Sequence, residues 1–164
     1  MQIIDADGHV NDRPCMDEIS KFMPPGNRTQ VFPSFDHIHF HFLEGGEKRS
    51  RTGTVGPKEW VDFLDETEID WTAVYPTAGL AVGRIIAEDW AIAACRAYNN
   101  WLYEKFTNVT PRIKGVALIP IQETDAAIEE LRRAVKELGM VGAMLPSNGE
   151  GIKSHFGSKI YWPI

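Results

Sequence analysis

Short apolar runs alternate along this chain with stretches in which apolar residues recur at steps of three and four. Ile3 and Ile4 lead into Asp-Ala-Asp-Gly-His-Val, which reads as a buried first strand with polar residues at its carboxyl end. Trp71 to Tyr75, β-branched and aromatic and halted by Pro76, reads as the second strand. Arg112 to Pro120 is the third, and Met140 to Leu145, closed by Pro146-Ser-Asn-Gly, is the fourth. Helical spacing fills the intervals. From Pro57 a short helix puts Trp60, Phe63 and Leu64 on one side, and from Glu88 to Phe106 a longer one carries the stripe Ala91, Ala94, Tyr98, Trp101 and Leu102. Thr124 is expected to cap a helix with the stripe Ile128, Leu131, Val135 and Leu138, ended by Gly139 in a left-handed cap. Its solvated face would carry Glu129, Glu130, Arg132, Arg133, Lys136 and Glu137, with Glu129 and Arg133 as an i,i+4 pair. Residues 11–58 break the pattern. Their Pro, Gly and charged positions predict a long loop or cap excursion with room for a hairpin.

Strands alternating with amphipathic helices specify a parallel sheet with helical crossovers, hence an α/β fold. An open doubly wound sheet and part of a closed barrel both satisfy the pattern, and periodicity does not choose between them. No GxGxxG follows the first strand, which weakens the dinucleotide-binding option. At 164 residues the chain has room for one domain with a sizeable core, but it lies below the roughly 250 residues of a complete (β/α)8 barrel.

Composition adds exclusions. The formal charge of -6 and the lack of a Lys/Arg stripe argue against nucleic acid or an anionic membrane as partner, and leave a small-molecule substrate as the expectation. Cys15 and Cys95 are too few for a disulfide framework or a Cys-based zinc site, and are expected as reduced thiols. No signal-like segment opens the sequence and no stretch reaches transmembrane length, so the expected location is the cytoplasm.

The candidate chemistry starts on the first strand. Side chains two apart share a face of a strand, so Asp5, Asp7 and His9 are expected to converge. Unpaired, they would be costly to enclose, and a divalent cation compensates them; carboxylate oxygen and imidazole nitrogen suit zinc or manganese. The alternative is a strand end whose polar groups cap neighbouring loops. His37, His39 and His41 alternate, which fits either a metal site of their own or the outer face of a hairpin. Arg13, Arg28, Arg49 and Arg51 in the same excursion suit a carboxylate ligand, or are solvated loop charges. Tyr75, Thr77 and Ser147 stand at strand ends, where a barrel aims side chains at its pocket and where loops also use them as hydrogen-bonders. His155 is given no role.

IDADGHV, RAYNNWLYEKF, PRIKGVALIP and AAIEELRRAVKELGMVGAMLPSNG follow one another in the order of similar segments in the amidohydrolase-related proteins. Over residues 3–164, apart from the excursion, the chain resembles the branch containing aminocarboxymuconate-semialdehyde decarboxylase and related aromatic-acid decarboxylases. The resemblance implies a (β/α)8 TIM-barrel metal-dependent hydrolase fold, here its amino-terminal part and apparently truncated after about four β/α units. It implies a divalent metal, zinc first and manganese second, at Asp7 and His9. The family opens with His-x-His at this place, so His9 carries over directly and Asp7 departs from the pattern. Further histidine ligands follow the family's fifth and sixth strands and a catalytic Asp follows the eighth, so no catalytic residue is assigned within this chain. In similar barrels the excursion folds over the pocket, which gives His37 and His39 a role against substrate, and their strand-end positions give Tyr75 and Ser147 the same role.

Two functions are therefore expected to compete. One is a metal-dependent hydrolase or decarboxylase acting on a small carboxylate-bearing or aromatic substrate. The other is a non-catalytic half-barrel that associates with itself or a partner chain, because four strands leave two open edges. Self-association is expected in either case.

Overall fold

Four strands lie side by side in the order of the sequence, all parallel. They are β1 (Ile4–Val10), β2 (Trp71–Pro76), β3 (Ile113–Leu118) and β4 (Gly142–Met144). This computed structural model describes residues 1–26, 31–33, 55–147, 149 and 151–164. The strand order decides what periodicity left open. A doubly wound sheet reverses its order at a switch point, whereas a barrel lays each new strand beside the last. The chain follows the barrel rule.

After a 3-10 turn at Arg13–Cys15 comes α1 (Met16–Ser20), which opens the excursion. Its Glu18 accepts from the Trp101 indole at 3.0 Å and pairs with Lys105 at 2.5 Å. The expected hairpin, with His37, His39, His41, Arg28, Arg49 and Arg51, lies outside the described residues. Helix α2 (Pro57–Glu66) begins on proline, whose missing N–H costs nothing there, and the Glu59 carboxylate accepts from the Gly56 N–H at 3.0 Å. Of its predicted stripe Leu64 is buried, Trp60 half-buried and Phe63 exposed.

Helix α3 (Glu88–Leu102) buries all of Ala91, Ala94, Tyr98, Trp101 and Leu102, then loosens into a π turn at Tyr103–Thr107. Helix α4 (Thr124–Lys136) corrects the sequence reading in four ways. Its cap is Glu123, whose carboxylate accepts from the N–H groups of Asp125 and Ala126, while the Thr124 hydroxyl donates to the Ile160 carbonyl. Its buried face is Ala127, Glu130 and Ala134; Leu131 and Leu138 are half-buried and Val135 is exposed. Glu130, expected in solvent, is only 4% exposed. It accepts from Asn99 at 2.7 Å and twice from Arg133, and Asn99 also bonds both the N–H and the carbonyl of Leu118 at 2.9 Å. Arg133 thus pairs three residues back rather than with Glu129, which faces Arg96. A charge in this position is tolerated because its oxygens are paired, and the network ties α3, β3 and α4 together.

Gly139 has φ +65 and serves as the expected left-handed cap. The segment after β4 folds back onto the first units. The Gly151 N–H donates to Gly83 at 2.9 Å, and Tyr161 is buried beside Ile119, Ile121 and Ala127. A Cβ at Gly151 would stand 2.0 Å from the Ile85 carbonyl oxygen, so only glycine permits this approach. Both cysteines are free and buried, and no described helix is long and apolar enough to cross a membrane.

Candidate metal and substrate site

Strand β1 does not alternate evenly. Asp5 aligns with Thr72 and Gly8 with Val74, so β1 uses one residue more than β2 over this stretch, a bulge at Ala6 and Asp7. Aligned residues of parallel strands project to the same face. Asp5 and Gly8 therefore lie on the face of Thr72 and Val74, which is the helix side: a Cβ on Gly115, aligned with Val74, would meet Leu102 and Thr107. His9, aligned with Tyr75, falls on the opposite, inner face. The expected convergence of Asp5, Asp7 and His9 is thus corrected. The Asp5 carboxylate is committed locally, accepting from the Thr72 hydroxyl at 2.7 Å and from the Asp7 N–H at 3.1 Å. Gly8 is the residue that permits this pair, because a Cβ there would stand 2.4 Å from Thr72 Oγ1.

The structure brings Asp7, His9 and Tyr75 together at the carboxyl ends of β1 and β2. His9 Nδ1 lies 2.8 Å from the Pro76 carbonyl oxygen, which can only accept, so Nδ1 is the donor in this bond and, in the neutral ring, Nε2 is the nitrogen with the lone pair. Nε2 is 3.9 Å from Asp7 Oδ1. The Asp7 side chain is 93% exposed and that of His9 41%, so neither group is held by the protein interior. The Tyr75 ring is tilted against the imidazole, with centroids 6.0 Å apart. Among the described residues no group of three or more His, Cys, Asp or Glu gathers as a metal cluster.

Asp12, which the sequence reading passed over, is fully buried and underlies this corner. Its carboxylate accepts from the N–H groups of Thr77 at 3.0 Å, Ala78 at 2.5 Å and Gly79 at 3.0 Å. Burial pushes its pKa up, and the N–H bonds from Ala78, Gly79 and Thr77 oppose that shift. Thr77 was a pocket candidate; its hydroxyl instead donates to the Val10 carbonyl at 2.8 Å, the loop-bonding alternative. Ser147 lines a separate shallow pocket with Gly149, Ile152, Ser154, His155 and Phe156. His37 and His39 lie outside the described residues.

Sequential parallel strands with polar side chains at their carboxyl ends define part of a (β/α)8 barrel of the kind on which enzymes build their sites. The chain belongs to the amidohydrolase family, whose model matches residues 4–162. It is 31% identical over 142 residues to a gamma-resorcylate decarboxylase of Polaromonas sp. strain JS666, covering 76% of this chain and 43% of that protein. A gamma-resorcylate decarboxylase of Rhodococcus jostii strain RHA1 is 40% identical over 83 residues, 51% of this chain and 25% of its own length. Among solved structures, a dihydroxybenzoic acid decarboxylase from Polaromonas sp. JS666 with bound manganese and 2-nitroresorcinol matches with a TM-score of 0.67 and 26% identity. That match covers 99% of this chain and 45% of the other. The chain thus spans less than half the length of the relatives it resembles.

Proposed function

We propose that this chain supplies the β1 to β4 half of a metal-dependent barrel decarboxylase acting on a hydroxylated aromatic carboxylate, with Asp7 and His9 as metal donors. The observation that carries the reading is the corner of β1: an imidazole whose Nδ1 is engaged by Pro76 and whose free Nε2 faces the Asp7 carboxylate at 3.9 Å. Metal–ligand bonds of about 2.1 Å place two ligands of a tetrahedral cation about 3.4 Å apart, so a side-chain shift of about half an ångström brings this exposed pair to a shared ion. A catalytic site needs about three protein ligands, so at least one more donor has to join these two. The manganese in the 26% identical structure favours manganese over zinc, which reverses the order expected from sequence. Likeness to gamma-resorcylate decarboxylases favours decarboxylation over hydrolysis.

In such a reaction the bound cation supplies positive charge that orients and polarises the substrate's oxygen groups. This chain's own residues would orient the donors and shape one wall of the pocket. Tyr75 is the substrate contact that the geometry supports, its phenol standing beside His9 at the mouth. Ser147, His37 and His39 as substrate contacts rest on their positions in the sequence alone. A location in the cytoplasm belongs to the same reading.

The test is manganese content by elemental analysis and carbon dioxide release from gamma-resorcylate, with Asp7→Ala and His9→Ala combined in one variant. Metal should be lost with the circular dichroism spectrum unchanged. Full metal retention in that variant would end the assignment. A second reading, association without catalysis, is favoured by the apolar surface beside β4, where Ile119, Leu131, Ala143 and Leu145 line a groove and Leu145 is 50% exposed. Sedimentation showing only monomer at high concentration would remove it.

A further inference from the structure

We propose that Asp12 is a positioning residue for His9, acting through the peptide group that joins Pro76 to Thr77. That single planar unit faces two ways. Its carbonyl oxygen accepts from His9 Nδ1 at 2.8 Å, and its N–H donates to Asp12 Oδ1 at 3.0 Å. A peptide group is rigid and its C=O and N–H point in opposite directions, so fixing one end aims the other. The proline ring already locks φ on the near side. The N–H groups of Ala78 and Gly79 engage both oxygens of Asp12, which stops the carboxylate from rotating away. The Thr77 hydroxyl bond to Val10 ties the same turn to the end of β1.

Three groups therefore stand in series: a buried carboxylate, a peptide plane and an imidazole. A carboxylate commonly orients a metal-binding histidine by direct contact. Here a backbone unit is interposed, and the negative charge polarises it, making the Pro76 oxygen a stronger acceptor. The result is a proton held on Nδ1 and a lone pair on Nε2, the reverse of the tautomer that imidazole favours in water. A bare loop-capping role for Asp12 would stabilise the turn without selecting a tautomer. The inference builds on the reading of His9 as a metal donor, but its first readout needs no metal.

The experiment is long-range proton–nitrogen correlation NMR on the histidine-labelled, metal-free chain, with the His9 signals identified by their loss in His9→Gln. The wild type should show the proton on Nδ1. Asp12→Asn, which removes the charge, should shift His9 toward the Nε2–H form and weaken manganese binding by about 10-fold in calorimetry. Thr77→Val keeps the N–H and loses only the hydroxyl bond, so it should loosen the turn yet preserve the tautomer. A wild-type His9 protonated on Nε2 would overturn the proposal whether or not any variant folds, as would an unchanged tautomer in Asp12→Asn. If the tautomer shifts as expected while the wild type takes up no manganese, the positioning role stands and the metal reading fails.

Discussion

Gly8→Ala is the smallest change that should disturb the seating of β1. The added methyl would stand 2.4 Å from Thr72 Oγ1 and 3.1 Å from both the Ala73 carbonyl oxygen and Asp5 Oδ2. Thr72 is fully buried, so its hydroxyl has no solvent-facing refuge. β1 is pushed away from β2 and the 2.7 Å bond from Thr72 to Asp5 breaks. Overpacking of this kind costs about 1–3 kcal/mol, and loss of a hydrogen bond to a carboxylate adds roughly 1.5 kcal/mol. The sum, about 2.5–4.5 kcal/mol, should lower Tm by roughly 5–18 °C for a chain of this size. Urea denaturation of the wild type, Gly8→Ala, Thr72→Ala and the double variant completes the test. Removing the hydroxyl opens the space that the methyl needs, so the double variant should be less destabilised than the sum of the singles by about 1–2 kcal/mol. A Gly8→Ala effect below about 0.5 kcal/mol, or strict additivity, would refute the steric account.

Other consequences follow from the same structure. Glu130→Ala takes one acceptor from the Asn99 amide and the only carboxylate bonded to the Arg133 guanidinium among the described residues, and should cost about 3–5 kcal/mol by urea titration; an effect on the surface scale would contradict the network. Glu18 is held below its usual pKa, first by the Lys105 hydrogen bond and then by that of Trp101. A depressed folded pKa contributes stability that is present above the unfolded value, near 4.3, and is lost as pH falls through the folded one. Glu18→Gln should therefore be less stable than wild type at neutral pH, and the gap should close as pH falls from about 5 toward 3. A gap that stays constant across that range would rule out the ion pair as its source. Gly151→Ala, with its Cβ 2.0 Å from the Ile85 oxygen, should release the segment after β4 and speed its cleavage in limited proteolysis. An unchanged cleavage rate would contradict the close approach.

What the chain discloses before folding depends on whether a signal is local. The four strands and α3 were legible because their apolar residues repeat with the period of the element, and Tyr98, Trp101 and Leu102 are as buried as that period requires. The family was legible because several segments occur in order. The face of α4 was misread because its buried stripe is made of two alanines and a paired glutamate, which no hydrophobic pattern marks. Strand order cannot be read from periodicity at all. Within the candidate site, His9 is singled out by the spacing along the first strand and by the family's His-x-His, and Tyr75 by its place at a strand end. Asp12 was missed because its partners are backbone N–H groups 65 to 67 residues away, a relation without any sequence signature.

The bulge in β1 also bears on how this strand tolerates changes in length. In an ordinary strand a one-residue deletion slips everything beyond it to the opposite face. Between Asp5 and Gly8, β1 already holds one residue more than β2 needs to advance from Thr72 to Val74. Deleting Ala6 would absorb that surplus and leave both flanking alignments intact, with His9 still beside Tyr75. This short stretch is therefore the place in the strand where homologous chains can differ by one residue in length and still present the same imidazole to the same mouth.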